Sequence, residues 1–330
     1  MALPIAPLGI DPAQPLVADE DSDREVEAGA PSRIWRQLRR NPAFWIGSVA
    51  ASAIILLAVG AHWLAPYDPN FAVRGTGLTA DGRPVGPSGE FWMGTDRLGR
   101  DYLSRLLHGA RTSLLVALGA NIVATVVGTV VGAVAAYAGS PAVRMPFLGR
   151  RIELFVPVEA MLMRLTDALL SLPILLLAIA LAALMGQSLL LLLGVISALL
   201  WTTTARIVFS QTRVILSRDF IEAARALGTG PWRILVHHVL PHLIPLLIVY
   251  TTLGIAAVVL FESTLSFLGA GVPPPAASWG TMIAEHASYY RSDPRLLLLP
   301  GGAIALTVFT FNLLGDALRD ALDPRVAGHG

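Results

Sequence analysis

The longest stretch without a charge decides what class of structure this chain can adopt. Residues 168–205, 38 consecutive positions, contain no ionisable side chain. A hydrocarbon layer of roughly 30 Å is crossed by about 20 apolar residues in a helix, so this run is too long for one crossing. Gly186, Gln187 and Ser188 divide it with turn chemistry, and two spans joined by a tight hairpin are expected. Four more runs follow the same rule. They are Ala43–Leu64, with His62 as its one ionisable residue, Ser113–Gly139, Leu243–Phe261 continuing past Glu262 to about Gly269, and Leu296–Gly315. Only 14% of the chain is charged and its mean hydropathy is +0.63, whereas soluble domains are about 25% charged. The expected fold class is an all-α polytopic membrane protein of about six transmembrane helices.

Six spans place both termini on one side, and arginine chooses the side. With the N-terminus in the cytosol, the inside segments hold 16 arginines and the two larger outside segments hold eight. Positive charge is retained inside, so N-in and C-in is the expected topology. Residues 1–40 form an expected disordered cytosolic tail, acidic from Asp19 to Glu27 and without a secretory signal pattern. Residues 41–65 form the first span and 66–108 an external cap rich in glycine and proline. Residues 109–325 form a five-helix core with a cytosolic loop at 219–241, and 326–330 a short tail. The segment 269–280, GAGVPPPAASWG, reads as a second outer cap, and Trp92 and Trp279 suit the interfacial belt.

Absences narrow the chemistry. All 24 basic residues are arginine, so the chain lacks the lysine of a Walker A loop and binds no ATP through a P-loop of its own. Without cysteine there are no disulfides, thiolate metal sites or cysteine nucleophiles. No H-E-x-x-H or G-x-S-x-G motif occurs, which argues against a membrane-embedded enzyme. The arginines are scattered without interleaved aromatics, so no nucleic-acid partner is expected. His238 and His242 lie four apart, but Pro241 stands between them and no third ligand is near.

Residues 222–241 read EAARALGTGPWRILVHHVLP. Glu222, Ala223 and Ala224 open a short helix, Gly228 and Gly230 break it, Pro231 suits the start of a second helix, and Leu240-Pro241 closes the loop before the next span. Small alanines allow close approach of a partner surface, and Glu222 is available to pair with a partner arginine. The residue reading alone leaves open an ordinary amphipathic connector.

This segment resembles the EAA loop, E-A-A-x3-G-x9-I-x-L-P, of the membrane subunits of ATP-binding cassette importers. Glu222, Ala223, Ala224, Gly228, Leu240 and Pro241 match, and His238 replaces the isoleucine. GTDRLGRD (94–101), SRLLHGARTSL (104–114), MRLTDALLSLP (163–173), ESTLSFLGAGVPPPAASWG (262–280) and NLLGDALRDALDPR (312–325) are similar to the peptide and nickel branch of that family, so the resemblance covers about 35–325. It implies a type I importer permease subunit in the bacterial cytoplasmic membrane, translocating dipeptides or oligopeptides, with a nickel chelate or other small solute as the alternative. The implied partners are a homologous second permease subunit, two ATPase subunits, an extracytoplasmic solute-binding protein and membrane lipid. ATP and magnesium would reside on the ATPase subunits, with no cofactor, metal or catalytic residue on this chain. A stand-alone carrier would not need a docking loop like 222–241.

Asp167 and Glu262 lie at the edge of, or inside, apolar segments. Such carboxylates are costly and commonly face a bundle interior or a water-filled path. Either is a translocation-path or gating residue, or a boundary carboxylate held by a neighbour, such as Arg164 for Asp167. Gly128 and Gly132, with Ala124, Ala135, Ala136 and Gly139, form a small-residue helix-packing stripe, inside the subunit or against a second one.

Single cysteines introduced into this cysteine-free chain test the topology. An impermeant thiol reagent added outside the cell should label position 86 and not position 228; the reverse pattern inverts the topology.

Overall fold

The computed structural model describes residues 34–73, 75–138, 142–147, 150–155, 158–186 and 188–322. The acidic tail, Gln187 and the C-terminal residues 323–330 lie outside them. Residues 34–40, expected as the end of the tail, are helical (α1). The main elements are α2 (Pro42–Val59), α3 (Ala61–Leu64), α4 (Tyr102–Ala138), α5 (Val158–Leu170), α6 (Ile174–Met185), α7 (Leu189–Leu216), α8 (Asp219–Ala226), α9 (Pro231–Ile234), α10 (Leu240–Phe267), α11 (Trp279–His286) and α12 (Arg295–Leu322). The chain is predominantly helical, as expected; between α4 and α5 lie two short antiparallel strands, β1 (Ala142–Phe147) and β2 (Arg150–Phe155).

Among the described residues five segments are long and apolar enough to cross a membrane, and a sixth crossing requires α5 and α6 together, bent by 89°. The expected continuous third span is therefore corrected to a broken one. Pro173 explains the break. Its ring disfavours helical geometry at Leu172, and it has no N–H to continue the ladder. Ser171 ties off the end of α5: its N–H donates to the Asp167 carbonyl at 2.9 Å and its hydroxyl to the Ala168 carbonyl at 2.7 Å. The expected hairpin before α7 is present, with Gly186 at φ 86° and Ser188 capping α7.

α4 begins at Tyr102, well before the expected Ser113, and its 37 residues extend about 55 Å, beyond the hydrocarbon layer. The small-residue stripe packs inside the subunit. A side chain at Gly128 would meet Thr204 and the Trp201 carbonyl at 2.6 Å, and one at Gly132 would meet the Ala205 carbonyl at 2.4 Å. The stripe thus lets α4 and α7 approach backbone to backbone.

The polar extension of α4 is anchored in the outer cap. Gly94 and Gly99, both with φ 75°, turn the chain so that Asp96 accepts from the N–H groups of Leu98 and Arg100. Asp101 caps α4 by accepting from the N–H and hydroxyl of Ser104 at 2.8 and 2.6 Å. Arg100 and Arg105 then bridge Asp96 to Glu285 of α11; Arg105 is fully buried. Arg295, at the start of α12, donates to the carbonyls of Met93 and Val85 at 2.7 and 2.8 Å. The cap, α4, α11 and α12 are thereby one unit. Trp279, expected in the interfacial belt, is instead core: it is 3% exposed and its indole N–H donates to the Leu106 carbonyl. Trp92 is exposed.

His286 closes the inner side of this cap. Its Nδ1 bonds the Met282 carbonyl at 2.7 Å, its Nε2 is buried without a hydrogen-bond partner, and its ring meets Tyr102 edge-on. Burial holds its pKa below the ordinary histidine value, against the opposing pull of Asp96 and Glu285 and assisted by Arg105. The unfolded chain therefore binds more protons at acid pH. This contribution to stability is complete above the unfolded value of about 6.5 and is lost as pH falls through the lowered folded value, at no more than about 1.4 kcal/mol per unit. Melting temperature of the purified protein should drop on going from pH 7.5 to 5.5, and His286→Asn should flatten that dependence.

Candidate functional site

The sequence-derived docking segment forms two short helices at one end of the bundle. α8 starts with Asp219 and Glu222 in its first turn, where carboxylates complement the helix dipole. It ends in a Schellman cap: the Thr229 N–H donates to the Ala224 carbonyl and the Gly228 N–H to the Arg225 carbonyl. Gly228 sits at φ 80°, and a side chain added there would touch nothing within 4 Å. Glycine is therefore required by the backbone and not by crowding. Pro231 opens α9, with Gly230 before it as N-cap.

Two isoleucines hold this element. Ile221 of α8 and Ile234 of α9 are fully buried in a cluster with Val208, Ile215, Val239 and Leu243. The cluster joins α8 and α9 to α7 and α10, with Tyr137 at the end of α4 packed against it. Arg225 lies over the Tyr137 ring at 5.8 Å. α8–α9 is thus packed against three spans through side chains.

Leu240-Pro241 does not end the loop as expected. α9 continues through a π-helical turn, Leu235–Val239, into α10, and Pro231–Phe267 is one helical segment. Pro241 lacks an N–H and crowds the preceding turn. The wider turn, in which the Leu240 N–H reaches the Leu235 carbonyl, accommodates it. Of the segment's named residues, Glu222, Ala223, Gly228 and Pro241 are exposed and Leu240 is half-buried. Ala224 is 7% exposed and faces its own chain, which corrects the expectation that both alanines meet a partner. Leu227 and Trp232 were missed by the motif reading, yet they are 87% and 72% exposed on either side of the glycine turn. Large apolar side chains inside an otherwise polar turn were the available signal.

Asp167 and Glu262 lie apart from this segment and from each other. Asp167 pairs with Arg206 of α7 and not with Arg164; Glu159 pairs with Arg213 at 2.8 Å, so two ion pairs align α5 along the end of α7. The α5–α6 break, residues 171–173, begins four positions after Asp167 and is exposed. Glu262 is fully buried among hydroxyls. Ser113 and Ser266 donate to its carboxylate at 3.1 and 2.7 Å, Ser263 lies at 3.5 Å, and Ser278 bonds Ser266 at 3.3 Å. It ties α4, α10 and the N-cap of α11 together. Asp96, Glu285 and His286 come within metal-ligand distance of one another. Both carboxylates, however, are bound by Arg100 and Arg105, so a cation would face two guanidiniums.

Residues 128–328 match the family described as binding-protein-dependent transport system inner membrane component. The chain belongs to that family. Residues 32–80 of this permease also match the N-terminal transmembrane domain of oligopeptide transport permease C. It is 36% identical over 292 residues to the di/tripeptide transport system permease protein DppC of Pseudomonas aeruginosa, covering 88% of this chain and 91% of that one. A peptide transport system permease protein of Brucella abortus, so named, is 36% identical over 295 residues, 89% and 92% of the two chains. The permease is thus a multi-pass inner-membrane subunit of a transport system.

The packing predicts which residues the segment needs for its own order. Ile234→Ala should cost about 2–5 kcal/mol locally and open 219–241 to limited proteolysis. Trp232→Ala, at an exposed position, should leave the cleavage pattern unchanged.

Proposed function

We propose that this permease is the membrane subunit of an ATP-driven importer of short peptides, with hydrolysis on separate subunits docked on α8–α9. The observation that carries the peptide assignment is that relatives named for peptide transport match it across about nine-tenths of both chains. The coupling assignment is supported by an exposed glycine-hinged surface, Glu222, Ala223, Leu227, Gly228 and Trp232, whose buried face is stitched to α4, α7 and α10. The chain has no lysine for a Walker A loop, which supports ATP and magnesium on the partner subunits. A second permease subunit and an external binding protein complete the assembly.

The broken third span supports a position for the pathway. Irregular backbone at membrane depth is tolerated where protein covers it or water fills a cavity beside it. Residues 171–173 are exposed in the single chain, so this face turns toward the second permease and the solute path. Asp167 lies beside that break and is the better candidate for a path-lining carboxylate. Glu262 is enclosed and would act on gating only through the packing of α4, α10 and α11.

Uptake of labelled di- and tripeptides by the reconstituted complex, with co-purified ATPase measured alongside, tests this reading. Gly228→Val forces a β-branched residue to positive φ, and Glu222→Arg reverses an exposed charge; both should leave insertion intact while uptake falls and ATPase association or coupling is lost. Glu222→Ala should be milder, since an exposed ion pair contributes about 0–1 kcal/mol. Normal peptide uptake by Gly228→Val would show α8–α9 to be a passive connector.

A further inference from the structure

Two grooves at the outer end of the bundle share a pair of residues. The first, about 230 Å³, runs between α2 and α4 and is lined by Ile55, Ala58, Val59, Leu114 and Leu118 together with Arg111 and Leu115. The second, about 290 Å³, is lined by Asn70, His108, Thr112 and Ala277 among others, again with Arg111 and Leu115. One is apolar and opens along the membrane-facing side of α2, where Leu56 and Val59 are exposed; the other lies under the cap and sets Asn70, His108 and Thr112 among apolar neighbours. Arg111 stands where they meet.

The depth fits the edge of a bilayer. α2 has 18 residues, about 27 Å, so its outer end at Val59 reaches the outer boundary of the hydrocarbon layer. Arg111 lines the groove beside Ala58 and Val59, at that level. Trp63, just beyond in α3, is 79% exposed, as an interfacial anchor is. Charge fits as well. Arg100, Arg105 and Arg295 of the outer cap are each held by carboxylates. Among the described residues Arg111 has no ion-pair or hydrogen-bond partner, although it is exposed beside apolar surface, and no carboxylate lines either groove.

We propose that these joined grooves bind one anionic phospholipid of the outer leaflet, its phosphodiester on Arg111 and one acyl chain along Ile55, Val59, Leu115 and Leu118. The guanidinium matches a phosphodiester with two parallel N–H donors. Asn70 and Thr112 offer polar contacts to a hydroxylated headgroup. An ethanolamine headgroup would bring an ammonium beside Arg111 with no carboxylate to receive it. The site therefore selects phosphatidylglycerol over phosphatidylethanolamine. The role is to fasten the peripheral α2 to the α4–cap unit. The assignment is independent of the transported solute and of the coupling reading above.

Native mass spectrometry of the full chain, purified with its partner subunits and titrated with either lipid of matched acyl chains, tests it. Wild type should retain phosphatidylglycerol about tenfold better than phosphatidylethanolamine, and Arg111→Gln should erase the difference. Arg111→Lys should restore part of it. Val59→Trp, which fills the groove from an exposed position, should weaken retention of both lipids while the melting temperature in lipid-free detergent stays at the wild-type value. Equal retention of the two lipids by wild type, or undiminished preference in Arg111→Gln, would overturn the proposal. So would displacement of lipid by equimolar glycerol phosphate, which would mark a soluble-anion site. Quantitative cross-linking of a cysteine at position 115 to the second permease subunit would make the groove a subunit interface. Loss of peptide affinity in Arg111→Gln without any change in lipid retention would make it a substrate subsite.

Discussion

Inside hydrocarbon a backbone N–H or C=O finds no water, and every such group must be bonded within the protein. The rest of this structure is arranged around that constraint. Four of the crossings are unbroken α-helices, and a fifth, Pro231–Phe267, accepts Pro241 only by widening one turn to π geometry. The remaining crossing gives way at Pro173, and there Ser171 ties off the freed carbonyls of α5. Irregular backbone is otherwise kept at the two ends: in the cap between α3 and α4, in the loop before α11, and in the turn between α8 and α9. The third-span break has Pro173, and the cap and the α8–α9 turn have positive-φ glycines, among them Gly94, Gly99 and Gly228.

The two ends are built by different means, and their chemistry suits different tasks. The outer cap is held by ions and hydrogen bonds: Asp96, Arg100, Arg105 and Glu285 join three elements, and Arg295 clamps backbone carbonyls. Removing one partner from such a buried network strands the others, so the cap is stiff. The opposite end is held by apolar contacts through Ile221 and Ile234, with a glycine hinge and a π turn on either side of α9. Packed side chains transmit displacement while the hinge permits a change of angle. Glu262 and its serines stand between these two regimes, fixing α4 to α10 close to the cap.

The docking segment was almost fully legible in the chain. Gly228 needed a positive φ, Pro231 an N-terminal helical position, and Glu222 a first-turn position, and each has it. These are local requirements, set by the residue and its immediate neighbours. The inward face of Ala224 and the outward faces of Leu227 and Trp232 were not legible, because they depend on how α8 and α9 lie on α7 and α10. Asp167 illustrates the same limit. Arg164, three positions away, was the local candidate, but the antiparallel alignment of α5 on α7 brings Arg206 instead.

Sequence by itself determined that this is a helical membrane protein with a charged, glycine-hinged segment between apolar spans and no lysine for a Walker A loop. Those conclusions follow from hydrophobicity, proline and glycine stereochemistry and the absence of lysine, which act within a few residues. Tertiary structure alone decided which side of each helix meets which neighbour. It turned the glycine stripe of α4 onto α7, buried Trp279 and Glu262, and sent Arg105 into the cap. It also brought Arg111 to the junction of two grooves. A helix twenty residues long is apolar on every side, so its sequence pattern does not name its partner. The choice is made by the close approach of small residues and by the need of each buried polar group for a bonding partner.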